Sequence, residues 1–282
     1  MSGLQAVETP LLEVRDLVIR YGKNSAPAVE DVSFTIGRGE TLGLVGESGS
    51  GKTTIGRAIL GLVPVTSGQI LFQGHDITRA SIAERRRLQG DLRAVFQDPF
   101  SSLNPRRVIG DALTEPLRVA GVARHEQVRR ANDALAAVGL PAGSFDRYPR
   151  QFSGGQRQRI AIARALVTDP RLVVCDEAVS ALDLSTQAQV LNLLAELRAG
   201  TDLGYLFIAH DMAVVEFLAQ RVVVLYRGRV MEQGPTADII RNPQSAYTRV
   251  LMAASPVPDP DEQARRREAW RVLRAEAKAP VG

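Results

Sequence analysis

The most constraining feature of the sequence is a glycine-rich run that directly follows a short apolar strand. Thr41–Val45 predicts a buried strand, Gly46–Thr53 follows without a break, and the residues from Ile55 to Leu62 have helical spacing. The run fits G-x-x-x-x-G-K-[ST], whose glycines let consecutive backbone N–H groups turn inward around phosphate oxygens. The helix that follows adds the positive end of its dipole. The sequence therefore predicts a phosphate-binding loop rather than an ordinary glycine-rich turn.

Two side chains of this loop carry the chemistry expected around a metal-bound triphosphate. Lys52 is placed to reach the β- and γ-phosphates of ATP, and the Thr53 hydroxyl is placed to complete the shell of a Mg²⁺ ion. The loop residues predicted to bind the nucleotide are Gly46, Ser48, Gly49, Ser50, Gly51, Lys52, Thr53 and Thr54.

A second apolar strand supplies the carboxylates that such a site needs. Leu172–Cys175 is followed at once by Asp176 and Glu177. Ligands bind at the carboxyl ends of parallel strands, so we expect Asp176 to hold Mg²⁺, directly or through water. Glu177 is expected to orient and deprotonate the attacking water. Adjacent acids can also be merely solvated, but the strand and the phosphate loop favour the catalytic interpretation. Cys175 faces the opposite side of the strand and is predicted to be a core residue.

The periodicity of the chain predicts an α/β fold of the phosphate-loop NTPase type. Leu12–Val18 and Val32–Ile36 alternate apolar and polar residues and predict an antiparallel edge. Leu172–Cys175 and Leu206–Ala209 predict strands of a mostly parallel sheet, with a helix at about Thr186–Arg198 between them. The core is therefore predicted to be a parallel sheet with an antiparallel β edge.

The rest of the chain divides into helical and terminal parts. Residues 98–160 have little strand character, and helical stretches such as His125–Val138 predict a helical subdomain there. A closing hairpin is expected around Arg227 and Gly228. After the proline-rich linker Pro256–Pro260, the residues from Asp261 predict a charged helical tail.

Composition and charge exclude several classes of protein. The hydrophobic and charged fractions, 45% and 23%, are those of a folded globular chain. The uncharged stretch Ala58–Gly74 is interrupted by glycine, proline and polar residues and cannot span a membrane, and Met1–Leu12 lacks the pattern of a signal peptide. We therefore expect a cytoplasmic chain.

The single cysteine excludes an internal disulfide and a multi-cysteine metal site. A formal charge of +4 with mixed signs favours a solvated surface over binding to nucleic acid or anionic lipid.

A second anion-binding segment separates this chain from other phosphate-loop proteins. Ser153 is followed by paired glycines just before the helix Ile160–Leu166, which predicts backbone donors at a helix N-terminus. Ser153–Gln156 resembles the signature motif of ABC (ATP-binding cassette) ATPases. Further motifs resemble, in the right order, the Q-loop with Gln97, the D-loop with Ala181–Asp183 and the switch histidine His210.

The resemblance implies a role for residues that spacing alone does not assign. His210 is expected to contact the γ-phosphate, and Gln97 to sense metal and nucleotide while linking the helical subdomain to the core. Tyr21 resembles the aromatic residue that stacks on adenine, although a strand-end tyrosine is the alternative. The implied catalytic residues are Lys52, Gln97, Glu177 and His210, the implied metal ligands are Thr53, Gln97 and Asp176, and the implied nucleotide contacts outside the loop are Tyr21, Ser153, Gly154, Gly155, Gln156 and Asp183.

The sequence departs from the family pattern at two positions. Phe152 stands where the family commonly has leucine, an apolar exchange of similar volume. Ala178 stands where many members have proline after the catalytic glutamate. Neither change removes a functional group, so an active site is expected.

The flanking segments favour an importer among the activities of such ATPases. There is no fused membrane span, no long coiled-coil insertion and only one cassette, so a separate-subunit importer is expected. Asn242–Leu251 resembles the C-terminal extension of oligopeptide and dipeptide importer ATPases. Ser101–Arg106 and Cys175–Asp183 most resemble the F-type subunit of that pair.

Two questions about function stay open at the level of the sequence. Nickel, glutathione and sugar-fragment importers share the C-terminal extension, so the solute can be one of these instead of a peptide. The core motifs are also compatible with a soluble non-transport ABC ATPase and with a nucleotide-binding module without turnover.

The resemblance also implies partners and a location. The signature of one cassette closes on ATP held by another, so a second ABC ATPase subunit is expected, in a heterodimer, with a homodimer as the alternative. Two membrane permeases and, indirectly, an extracytoplasmic solute-binding protein complete the assembly, without nucleic acid, at the cytoplasmic face of the inner membrane. The permease-coupling surface is expected near Gln97–Arg106. The expected division is one ABC domain at 10–255, the importer-type extension at 240–262 and a tail at 263–282.

Overall fold

The structure, a computed structural model, describes residues 9–22, 25–98 and 103–254. Its largest sheet has six strands in the order β10-β9-β3-β8-β7-β6, all parallel except β10. These strands are β3 (Thr41–Val45), β6 (Leu92–Phe96), β7 (Leu172–Asp176), β8 (Gly204–Ala209), β9 (Arg221–Tyr226) and β10 (Arg229–Pro235). Every residue of β3, β7 and β8 is buried, as expected for parallel strands that are covered on both faces.

A second, antiparallel sheet of four strands has the order β2-β1-β4-β5. It contains β1 (Leu12–Ile19), β2 (Val29–Ile36), β4 (Ser67–Phe72) and β5 (His75–Asp76). The sequence correctly indicated antiparallel strands near the N-terminus, but they form a sheet of their own rather than an edge of the parallel sheet. The antiparallel edge of the large sheet is β10, in the hairpin expected around Arg227 and Gly228.

Helices cover both faces of the large sheet. On one face, α1 lies in an apolar core shared with the antiparallel sheet, where Ile55 and Ile59 pack with Leu44, Ile70 and Ile208. The opposite face is covered by a core built largely from α5, α6 and α7. The helices are α1 (Lys52–Ile59), α2 (Ile82–Leu88), α3 (Ile109–Val119), α4 (Arg124–Ala137), α5 (Gly154–Leu166), α6 (Leu184–Arg198), α7 (Met212–Leu218), α8 (Thr236–Arg241) and α9 (Ala246–Ala254).

Several boundaries differ from the sequence prediction for physical reasons. Helix α1 begins three residues earlier than expected, at Lys52, because the phosphate loop itself ends in the first helical turn. Helix α5 begins at Gly154 rather than at Ile160, since the capping serine comes immediately before it. Strands β4, β5 and β6 were not predicted. The tail expected at 263–282 lies outside the described residues.

Within the part of the chain that the structure describes, no helix combines the length and the apolarity needed to cross a bilayer.

Candidate active site

Four neighbouring parallel strands bring the predicted active-site segments to one edge of the large sheet. The last residues of these strands are in register, with Val45 opposite Ala209, and with Asp176 opposite both Ile208 and Phe96. The phosphate loop, His210, Glu177 and Gln97 each come directly after one of these strands. The topology therefore places all four segments along the carboxyl edge, where parallel α/β sheets bind ligands.

The phosphate loop has a backbone that only glycine accommodates at its first position. Gly46 has a φ of 151°, and a Cβ atom there would lie 2.1 Å from the carbonyl oxygen of Leu225. Gly49 and Gly51 also have positive φ, 78° and 104°. This conformation leads into the N-terminus of α1, whose first backbone N–H groups have no intrahelical acceptors and are available to an anion.

Lys52 is enclosed by the loop that carries it. The residue is 4% exposed, and its Nζ donates to the carbonyl oxygens of Gly46 at 2.7 Å and Glu47 at 2.8 Å. Burial lowers the pKa of Lys52, and the nearby carboxylates of Glu177 and Asp176 oppose that shift. The ammonium is thus held at the mouth of the loop by two neutral acceptors, which phosphate oxygens can replace with stronger, charge-assisted bonds.

Thr53 and Asp176 meet across the site. The Thr53 hydroxyl donates to Oδ1 of Asp176 at 2.9 Å, although the two residues are 123 positions apart. Burial raises the pKa of Asp176, and the hydrogen bond from Thr53 opposes the shift. A hydroxyl and a carboxylate oxygen beside a phosphate loop are the hard oxygen donors that Mg²⁺ prefers. The donor set therefore fits this ion.

We expect Asp176→Asn to make the nucleotide-free protein more stable at neutral pH. Burial raises the pKa of Asp176 in the folded state. The contribution of this carboxyl group to the free energy of unfolding of the wild-type protein therefore falls as the pH rises through that pKa. Asparagine has no charge to bury and keeps an acceptor for Thr53. Thermal unfolding should show a Tm above that of wild type at about pH 7, with the difference shrinking as the pH is lowered through the raised pKa. A mutant Tm below that of wild type at neutral pH would contradict this prediction.

Glu177 is held in an uncommon backbone conformation just after β7. Its φ is 50°, a left-handed value that costs a non-glycine residue free energy unless its surroundings fix it. Its N–H donates to the Ile208 carbonyl at 3.0 Å, and its own carbonyl accepts bonds from the Ser180 N–H and hydroxyl at 3.1 and 3.0 Å. Glu177 and His210 both line a cavity of about 60 Å³ at the end of β8, beside the segment that follows β7. The structure thus brings the expected base and the expected switch histidine together.

The signature segment forms a capped helix start. Ser153 is the N-cap of α5 and accepts a hydrogen bond from the Gln156 N–H at 3.3 Å, while Oε1 of Gln156 accepts from the Ser153 N–H at 3.0 Å. A Cβ atom on Gly155 would lie 2.2 Å from Cγ2 of Thr186, whereas one on Gly154 would meet nothing within 4 Å. Gly155 therefore allows the starts of α5 and α6 to pack closely, and Gly154 leaves its backbone accessible.

The remaining predicted residues occupy distinct places. Asp183 caps α6, where its carboxylate accepts bonds from the N–H and the hydroxyl of Thr186 at 3.0 and 2.7 Å. Tyr21 is 65% exposed, and its hydroxyl lies 3.0 Å from that of Thr54, beside the start of α1. Gln97 and His210 are exposed at the sheet edge. Phe152, the departure from leucine, is buried beneath the guanidinium of Arg147.

Two contacts to the phosphate loop were not predicted from the sequence. The N–H of Gly228, in the β9–β10 turn, donates to the Ser50 carbonyl at 3.0 Å. The N–H of Glu47 donates to the hydroxyl of Tyr247 at 3.1 Å. These partners are about 180–200 positions from the loop, and no local pattern in the sequence connects them.

The chain belongs to the ABC transporter family, whose sequence pattern matches residues 29–180. Residues 231–282 match a second pattern, described as the oligopeptide/dipeptide transporter C-terminal region. The resemblance drawn from the signature and its companion motifs is thereby confirmed at the level of the family.

Known relatives agree with this assignment. One relative is a Brucella ovis protein whose name describes it as a peptide import ATP-binding protein. It is 50% identical to this chain over 277 residues, which cover 97% of this chain and 86% of that protein. The glutathione import ATP-binding protein GsiA of Salmonella choleraesuis is 47% identical over 268 residues, covering 92% of this chain but 43% of that longer protein.

Solved structures confirm the fold class. The protein cbiO1 of Clostridium perfringens, described as part of the ABC transporter complex cbiONQ, has a TM-score of 0.76 at 28% identity and covers 83% of this chain and 92% of that one. The ATP-binding cassette MJ0796, in a dimeric post-hydrolysis state with ADP and Pi, has a TM-score of 0.71 at 27% identity. This match covers 80% of this chain and 98% of the MJ0796 chain. The cassette fold predicted from the sequence is therefore correct.

Proposed function

We propose that this chain binds and hydrolyses ATP to drive the import of peptides through a membrane ABC transporter. The observation that carries the ATPase part is the meeting of Lys52, Thr53, Asp176 and Glu177 at one sheet edge. The peptide part is supported by the C-terminal match to oligopeptide/dipeptide transporters and by the Brucella relative. The GsiA relative makes glutathione, itself a short peptide, the second candidate solute.

The chemistry follows from the geometry of the site. The loop N–H groups and the start of α1 bind the phosphates, and Lys52 exchanges its two carbonyl acceptors for β- and γ-phosphate oxygens. Thr53 and Asp176, with Gln97, would hold Mg²⁺, which neutralises negative charge on the phosphates when it is bound. Glu177 accepts a proton from water as the water oxygen attacks the γ-phosphorus and the bond to the β–γ bridging oxygen breaks. His210 contacts the γ-phosphate, and Tyr21 stacks on adenine.

A second cassette is needed to complete each site. In the described residues the phosphate loop leads into α1, and the signature segment lies apart from it at the start of α5. We infer that Ser153, Gly154 and Gln156 of one cassette face ATP on the phosphate loop of the other, with Asp183 at the same contact. The dimeric MJ0796 cassette supports pairing of this kind. The segment Cys175–Asp183 supports an F-type subunit in a heterodimer, and a homodimer is the alternative.

A groove beside Gln97 is suited to receive a permease. It has a volume of about 670 Å³, and apolar groups of Phe96, Ala112, Pro116, Val119 and Ala165 share its lining with several arginines. Phe96 immediately precedes Gln97, so a segment docked in the groove lies next to a predicted nucleotide sensor. We infer that a cytoplasmic segment of a permease subunit occupies this groove. With such an occupant, the proposed location of the chain is the cytoplasmic face of the inner membrane.

Because the permease is proposed to dock in this groove, a substitution there should weaken assembly with the permease without affecting ATP binding. Val119 is 64% exposed in the groove, so Val119→Asp should leave the fold intact while placing a charge against an apolar partner. We expect copurification of the permeases from membranes to fall at least about tenfold, with ATP binding unchanged. Val128→Asp, at an exposed valine of α4 outside the groove, is the matched control. Undiminished copurification with Val119→Asp would refute this docking site, and a wild-type chain that retained no permease would contradict the transport function.

The domain division is proposed on the same grounds. The ABC domain spans 10–255, with a helical subdomain at about 98–160 that contains α3, α4 and the start of α5. The importer-type extension at 240–262 falls within the matched C-terminal region, and the tail follows at 263–282.

A further inference from the structure

The C-terminal region reaches back to the phosphate loop through one side chain. Tyr247, the second residue of α9, is partly buried, and its hydroxyl accepts a hydrogen bond from the Glu47 N–H at 3.1 Å. Its ring lies against that of Tyr226, with the centroids 4.3 Å apart and the planes tilted by 35°. Tyr226 is the last residue of β9, next to β3 in the large sheet. The tyrosine thus bridges the C-terminal helix, the sheet and the loop.

The position of this tyrosine is fixed by a second set of contacts. The two carboxylate oxygens of Glu232, in β10, accept the N–H groups of Gln244 at 2.8 Å and Ser245 at 3.1 Å. These N–H groups precede α9, where a negative charge also interacts favourably with the helix dipole. Further along α9, Val250 and Leu251 are buried. The start of α9 is therefore held against β10 and cannot shift without losing these bonds.

The bond from Glu47 to Tyr247 holds the peptide group between Gly46 and Glu47, and the carbonyl oxygen of that group accepts a bond from Lys52. The Glu47 carbonyl accepts bonds from Lys52 Nζ at 2.8 Å and from the Ser50 N–H at 3.1 Å. The Glu47 N–H belongs to the preceding peptide group, whose carbonyl is that of Gly46 and also accepts a bond from Lys52 Nζ. The tyrosine hydroxyl therefore anchors the first peptide of the loop while both carbonyls point at the ammonium.

We propose that Tyr247 is a positioning residue for the phosphate loop, through which the C-terminal region of the chain contributes to nucleotide affinity. The inference rests on the proposed ATP site, and it adds a residue outside every motif that defines that site. The region that matches the oligopeptide/dipeptide transporter pattern thus does more than extend the cassette, because its helix α9 holds the loop that binds phosphate.

The test compares two changes that each remove one hydroxyl. Tyr247→Phe deletes the acceptor for Glu47 and keeps the ring stack, whereas Tyr226→Phe deletes the hydroxyl of the ring that stacks on it and leaves the Glu47 bond in place. A fluorescent ATP analogue is titrated into the full chain in each form. We expect Tyr247→Phe to weaken affinity about three- to tenfold, the effect of losing one neutral hydrogen bond, and Tyr226→Phe to stay within about twofold of wild type.

Two further readouts separate positioning from general destabilisation. In the assembled transporter, Tyr247→Phe should raise KM for ATP and leave kcat close to wild type, because the loop is restored once phosphate is bound. Hydrogen exchange should become faster in the peptide that contains Glu47, and not in the Tyr226→Phe protein.

Two results would overturn the inference: unchanged ATP affinity in Tyr247→Phe, whether or not its Tm falls, or equal losses of affinity in both variants. Failure of the proposed ATP-binding site itself is distinguishable, since the wild-type chain would then bind no ATP analogue at all.

Discussion

Glu177→Gln is expected to lower kcat for ATP hydrolysis by about 10²- to 10⁴-fold in the assembled transporter, the usual contribution of a positioned general base. Glutamine keeps the size and the backbone of glutamate but cannot take the proton of the attacking water. The left-handed φ of residue 177 and the Ser180 bonds to its carbonyl involve only the main chain of that residue, so they persist in the variant. Phosphate release, measured under saturating ATP, reports the loss directly.

Affinity for ATP should be retained in this variant, since Glu177 makes none of the hydrogen bonds that hold Lys52 or Thr53. Glu196→Gln, at an exposed glutamate of α6, removes the same charge away from the sheet edge and should leave kcat unchanged. A wild-type rate in Glu177→Gln would show that the chain binds nucleotide without using this carboxylate for turnover.

Lys52→Ala is expected to weaken ATP affinity about 100-fold or more. Each charge-assisted hydrogen bond is worth about 1.5–3 kcal/mol, and Lys52 is placed to make two of them when phosphate oxygens replace the carbonyls of Gly46 and Glu47. Equilibrium titration of the purified chain with a fluorescent ATP analogue measures this loss.

Lys52→Met separates the charge from the packing of the side chain. Methionine fills the same buried space, so it should fold as well as wild type and still lose ATP affinity to the same degree. Because burial lowers the pKa of Lys52, the charge itself is costly in the fold, and neither variant is expected to unfold the nucleotide-free protein. Near-normal affinity in the methionine variant would contradict the role assigned to the ammonium.

The parts of the site that sequence could predict are those encoded by local patterns. The phosphate loop is one continuous segment between a strand and a helix, and Asp176 and Glu177 directly follow an apolar strand. Both Thr53 and Asp176 were therefore expected at one magnesium site, and the structure has the Thr53 hydroxyl donate to Asp176. Ser153 was recognised as a helix start because capping is likewise local.

The parts that sequence could not predict depend on long-range packing. The N-terminal strands alternate apolar and polar residues in either sheet arrangement, so the pattern did not reveal that they form a separate sheet with β4. Strand β6 is partly exposed and has Arg93 as its second residue, which obscured its pairing with β7. The bond from Glu47 to Tyr247 joins residues 200 positions apart and is visible only in the folded chain.

The most direct test of the transport function is uptake of labelled di- and oligopeptides by cells whose native copy of this protein carries Lys52→Ala. Nickel and glutathione are measured in the same cells, and a wild-type copy supplied in trans is the control. Our account predicts selective loss of peptide uptake, restored by the wild-type copy. Intact peptide uptake with loss of another solute would contradict the peptide assignment, and unchanged uptake of every solute would contradict the role in import.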